Sequence, residues 1–94
     1  MEAPKLAALR SLLHGMEREL GLDDLSQSQR DVYYAASLLH GAGEPITTEL
    51  LQTHPLTRDI PRPTFFRSLK SLLDRKLMYR SGGERSGRYV LSQD

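Results

Sequence analysis

A chain of 94 residues with 38% apolar and 27% charged side chains has the balance of one small globular domain, not of a disordered segment. It contains no cysteine, which excludes a disulfide framework, a thiol nucleophile and a cysteine-based zinc site. Its net charge of +1 conceals an asymmetry: residues 1–56 hold four basic and eight acidic groups, a net of −4, whereas residues 57–88 hold nine basic and three acidic groups, a net of +6.

The chain opens on a helix. Pro4 suits a first turn, where its missing N–H is not needed. Leu6, Leu9, Leu13, Met16 and Leu20 then recur at alternating spacings of three and four, with Leu12 beside them, so they form one apolar stripe. Gly21 is placed to end this helix. Residues 1–24 are thus expected to form an N-terminal helix whose stripe packs on its own domain or on a second copy.

A second helix is expected from Ser26, because Ser26 and Gln29 have capping-box spacing. Val32, Tyr33, Ala36 and Leu39 or Leu38 supply its buried face, and Gly41 and Gly43 end it. Ile46 is expected in a short strand. Thr47 is the next N-cap, and Glu49 is favourably placed near the positive helix end. The third helix runs over roughly Thr48–Thr53 and stops at Pro55.

Asp59, Pro61 and Pro63 make Leu56–Pro63 a turn. The fourth helix is expected from Pro63 to Arg75. Phe65, Leu69 and Leu72 form its apolar face together with Phe66 and Leu73. Arg67, Ser68, Lys70, Ser71, Asp74 and Arg75 are left for solvent or ligand. Two β-prone runs, Leu77–Tyr79 and Arg88–Leu91, then flank a glycine-rich loop and predict a hairpin.

The expected fold class is therefore mainly α with a small antiparallel β-hairpin. The order of helix, short helix, turn, helix and hairpin is that of a winged helix-turn-helix, here preceded by an extra N-terminal helix. In this order the short helix and turn brace the next helix so that its polar face can enter a major groove.

The sequence blocks carry a family likeness. Leu25-Ser26-Gln27-Ser28-Gln29, Pro45-Ile46-Thr47-Thr48-Glu49-Leu50, Arg62-Pro63-Thr64-Phe65-Phe66-Arg67-Ser68-Leu69, Leu72-Leu73-Asp74-Arg75-Lys76-Leu77-Met78 and Arg88-Tyr89-Val90-Leu91-Ser92 resemble successive blocks of the MarR-like winged helix regulators. The resemblance covers residues 25–92, within a winged helix domain set at 25–94. It implies a recognition helix over Pro63–Arg75 and a wing over Met78–Leu91. It further implies groove or backbone contacts from Arg62, Thr64, Arg67 and Lys70, and wing contacts from Arg85 and Arg88. With Ser68 from the polar face of the same helix, these residues make up the candidate DNA-binding set.

Three departures stand out. The link before the recognition helix is longer and richer in proline than the family's turn. Lys76 occupies the place where the family has a glycine closing the helix. The sequence ends after the wing, so the resemblance does not carry over the dimer that full MarR regulators build from long C-terminal helices.

The expected function is sequence-specific binding of double-stranded DNA in transcription regulation, without enzymatic activity. No nucleophile elbow is present, His14, His40 and His54 lack metal-ligand spacing, and no cofactor is expected. The alternative is a winged-helix module that docks on protein and binds no DNA. A homodimer through the N-terminal helix is the expected assembly. The longest apolar runs fall far short of a membrane span, and Glu2 beside Lys5 is unlike a signal peptide, so the expected address is the cytoplasm.

Overall fold

The computed structural model describes residues 3–83 and 86–92. It is mainly helical, with helices α1 (Ala3–Glu19), α2 (Gln27–Gly41), α3 (Thr48–Thr53) and α4 (Arg62–Asp74). Strands β1 (Ile46–Thr47), β2 (Met78–Arg80) and β3 (Arg88–Leu91) complete it. Among the described residues no helix is long and apolar enough to cross a membrane.

Local chemistry sets the boundaries. At the start of α2 the Ser26 hydroxyl accepts the Gln29 N–H at 3.2 Å, and the Gln29 side-chain oxygen accepts the Ser26 N–H at 2.9 Å. This is the anticipated capping box. Thr47 caps α3 in the same sense, accepting the Leu50 N–H at 3.1 Å.

Three helices end alike. The amide of the second residue past the cap returns to a carbonyl five residues back: Leu22 to Glu17 at 2.7 Å, Glu44 to Leu39 at 2.9 Å and Leu77 to Leu72 at 3.0 Å. That is the Schellman closure, which needs a left-handed residue just before it. Gly21 and Gly43 fill that place in α1 and α2, with φ of 73° and 75°. In α4 it is Lys76, with φ of 61°, the one non-glycine residue at positive φ among the described residues.

The link between α3 and α4 is organised by a buried hydroxyl. Thr57 is 2% exposed, and its side chain donates to the Leu51 carbonyl, one of the groups α3 leaves unpaired at its end. His54 Nδ1 accepts the Leu56 N–H at 3.1 Å, and the Thr57 carbonyl accepts the Ile60 N–H at 2.9 Å. The long proline-rich link is thus a tied turn.

The sheet is antiparallel with order β1-β3-β2. Ile46 faces Tyr89 across β1 and β3, and Met78 faces Leu91 across β2 and β3. The hairpin was expected; the recruitment of β1 onto its far edge is the addition. Alternation along β3 buries Tyr89 and leaves Val90 exposed opposite Tyr79. The Tyr89 hydroxyl lies 2.9 Å from the Thr48 hydroxyl, which ties the central strand to the start of α3.

The core is one cluster built on Leu22, Leu25, Val32, Ala35, Ala36, Ile46, Leu51, Phe65, Leu69, Leu72, Met78 and Tyr89. Helices α2 and α4 pack on each other, and α4 packs on β2. Leu38, left open as an alternative to Leu39, is exposed, whereas Leu39 packs on the core.

Helix α1 departs from one expectation. Its stripe does not pack on its own domain: Leu6, Leu9, Leu12, Leu13, Met16 and Leu20 are 40% to 63% exposed. The only buried residue of α1 is Glu17. Its carboxylate accepts the Tyr34 hydroxyl and lies 3.7 Å from Arg30 Nε. This polar anchor holds the end of α1 to α2, and the apolar stripe is left facing out.

Candidate nucleic-acid interface

Helix α4 presents the candidate side chains. With 3.6 residues per turn, Phe65, Ser68, Leu69 and Leu72 share one side and are buried. Pro63, Arg67, Lys70 and Asp74 share the opposite side and are exposed. Thr64 and Ser71 lie along one edge of that face, half-buried.

Ser68 is therefore a correction. It is 4% exposed, between Phe65 and Leu72 on the packed side, and cannot touch a macromolecular ligand. Its polar side chain suggested the exposed face; its helical position puts it on the other. Phe66 is corrected in the other direction. It is 37% exposed at the edge of the packed face, and the Arg62 guanidinium lies 5.3 Å from its ring centroid. Such stacking holds the guanidinium over the ring while its N–H groups stay available.

Arg67 Nη2 donates to the Thr64 hydroxyl at 3.2 Å, one turn back. That contact draws Arg67 and Thr64 together along one edge of the face. Lys70 lies 4.0 Å from Asp74, and both are well exposed, so the pair is worth at most about 1 kcal/mol. Asp74 nevertheless puts a carboxylate on the basic face. Ser71 accepts the Gln29 side-chain N–H at 3.0 Å, which removes it from the residues left for a ligand.

The start of α4 carries no acidic residue in its first turn, so the positive helix end is not neutralised there. Next to it Arg58 and Arg62 line a hollow of about 150 Å³ with Gln52, Thr57, Ile60 and Phe65. Arg58 was not among the expected site residues. Its position in a turn gave no periodicity to read, and the tied link is what brings it beside Arg62.

On the hairpin Arg88 opens β3 and is exposed. Arg85 lies outside the described residues. Arg80, also absent from the expected set, is exposed on β2, with its guanidinium 5.8 Å from the Tyr89 ring centroid. Every described basic residue of the segment 57–88 is exposed. Among the described residues Lys70 and Arg75 alone of these take part in an ion pair.

Arg75 turns away from the set: its Nη2 reaches both carboxylate oxygens of Asp24 at 2.8 Å. The guanidinium hydrogen bond holds the Asp24 carboxyl below its usual range. The other titratable cluster is Glu17 with Tyr34 and Arg30. Burial, reinforced by the hydrogen bond to Glu17, pushes the Tyr34 hydroxyl up to about 12. The first ties the end of α4 to the link between α1 and α2, and the second ties α1 to α2.

His54 accepts a backbone N–H within the tied turn, and no group of three His, Asp or Glu side chains suited to a metal ion occurs among the described residues. Comparison with family models, curated proteins and solved structures returned no match.

Proposed function

We propose that the protein binds double-stranded DNA as a MarR-like winged helix-turn-helix, acts in transcription regulation, and is not an enzyme. In this reading α4 is the recognition helix and the β2–β3 hairpin is the wing. Arg67, Lys70 and Thr64 face the major groove, Arg62 and Arg58 meet phosphates at the start of α4, and Arg88 and Arg80 meet the backbone beside the wing.

The observation that carries the reading is the exposed basic surface of residues 57–88, centred on the outer face of a helix that packs on α2 and β2, follows a short helix and precedes a hairpin. Six of its described cations, Arg58, Arg62, Arg67, Lys76, Arg80 and Arg88, have no carboxylate partner among the described residues. A polyanion supplies that charge, and each phosphate contacted releases condensed counterions.

The test is an anisotropy titration of duplex DNA across several salt concentrations. Log affinity should fall against log salt with a slope of about −0.9 per phosphate contact, or roughly −3.6 for four contacts per protomer. Arg88→Ala should weaken all sequences alike and lower the slope by about one unit. Arg67→Ala should cost about 1–3 kcal/mol and relax the preference among sequences. Arg18→Ala, on α1, should leave the slope unchanged. Absence of duplex binding at low salt transfers the reading to a winged-helix module that docks on protein.

A further inference from the structure

Helix α1 carries five half-exposed large apolar side chains, with Leu20 a sixth just past its end, and is fastened to the body near its C-terminal end, through Glu17. Its residues fall into a heptad frame. Leu6, Leu13 and Leu20 take the a positions, and Leu9 and Met16 take d. The g flank is Lys5, Leu12 and Glu19, and the e flank is Arg10 and Glu17. Glu17 is the buried residue, so the body covers part of the e side, and the a, d and g positions are open. We propose that this face pairs antiparallel with α1 of a second copy.

The charges select both the partner and the direction. In an antiparallel pair g positions face g positions across a two-fold axis. When Leu12 meets Leu12 of the second copy on that axis, Lys5 meets Glu19 of the second copy at one end, and the reverse holds at the other. The same register sets Leu9 opposite Leu13 of the second copy and Leu6 opposite Met16 of the second copy, so the apolar layers close together with the ion pairs.

A parallel pair would set each g residue against the e residue five positions later. Lys5 would then oppose Arg10 of the second copy, twice. The antiparallel pair contains one unfavourable juxtaposition, Arg10 with its symmetry mate. That is lessened by the Glu17 and Asp31 carboxylates lining the same hollow as Arg10. A free helix of two heptads does not hold together in water. Here α1 is already fixed by its Schellman closure and its Glu17 anchor, so pairing need not fold it.

The experiment is sedimentation equilibrium of the full chain at low ionic strength without DNA, which separates this proposal from the DNA-binding reading. The chain should show a concentration-dependent dimer. Lys5→Glu and Glu19→Lys should each weaken it about three- to tenfold, by turning two attractive surface pairs into repulsive ones. The double swap should restore it to within about twofold of the unaltered chain. Leu9→Glu with Met16→Glu should abolish the dimer while the circular dichroism and melting of the body persist, since both positions are exposed. A monomer at every concentration overturns the proposal. So does a Lys5→Glu chain that dimerises more tightly, because that is the signature of parallel pairing.

Discussion

Lys76 closes α4 at φ 61°, where α1 and α2 use glycine. The left-handed conformation costs an L-residue about 1–2 kcal/mol through the clash of Cβ with the following carbonyl. Glycine removes that clash but loses more chain entropy on folding, by about 0.5–1 kcal/mol. Lys76→Gly is therefore expected to be more stable than Lys76→Ala, which keeps the Cβ, by about 0.5–1 kcal/mol, a difference of about 2–8 °C in melting midpoint for a domain of this size. The substitution also removes a cation near the negative end of α4, worth about 0.3–1 kcal/mol. Lys76→Ala isolates that loss because it keeps the Cβ. Urea unfolding of the three chains should place both the Gly and the Lys chains above the Ala chain, the Gly and Lys chains lying close together because the backbone gain and the lost cation offset each other, with unchanged dependence on denaturant. Equal stabilities for Lys76→Gly and Lys76→Ala would refute the claim that backbone conformation carries the effect.

Tyr34 should ionise near pH 12 in a spectrophotometric titration, a step absent from Tyr34→Phe. Its folded value lies above the ordinary 10, so the stability it contributes is whole below pH 10 and is lost as pH rises from there toward 12. Arg75→Ala should bring the Asp24 carboxyl back toward its ordinary range, read by carboxyl chemical shifts against pH. With Arg75 present, the stability linked to Asp24 is held above the ordinary carboxylate value and lost as pH falls below it. Leu72→Ala, at a fully buried position, should cost about 2–5 kcal/mol in urea unfolding. Ser68→Ala should leave duplex affinity unchanged, whereas Arg67→Ala should not; equal losses from both would mean that α4 does not meet DNA with its Arg67 face.

Much of the fold was legible where short-range chemistry decides it. Ser26 with Gln29, Thr47 before α3, and the paired β-prone runs around glycines each named an element from a few adjacent residues. Lys76 was visible as the residue standing where a glycine is the rule, and its positive φ is the outcome. What periodicity could not tell is what covers a face. The stripe on α1 is apolar whether it meets its own body or another chain, and only the burial of Glu17 beside it shows which side the body takes. Tyr34 and Arg30, the partners of Glu17, are distant in sequence and left no local trace. Thr57 was hidden for a similar reason, since its use depends on where the end of α3 falls. In the candidate interface Arg62, Thr64, Arg67, Lys70 and Arg88 came from the family resemblance, and the fold leaves all of them exposed except Thr64, which is half-buried. Ser68 was misread on type alone, although a strict helical count from Phe65 and Leu72 would have put it inside. Arg58 and Arg80 required the turn and the strand register.

Gln29 spends its whole side-chain amide on two different helices. The oxygen accepts the Ser26 N–H, and the nitrogen donates to Ser71 on α4. Any sliding or tilting of α4 must either break the second bond or pull the amide away from the first, so the opening turn of α2 acts as a strain gauge for the helix beneath it. The Ser26 amide proton then reports the seating of α4 by its exchange rate and chemical shift, and it does so with no probe placed on the face that a ligand would cover.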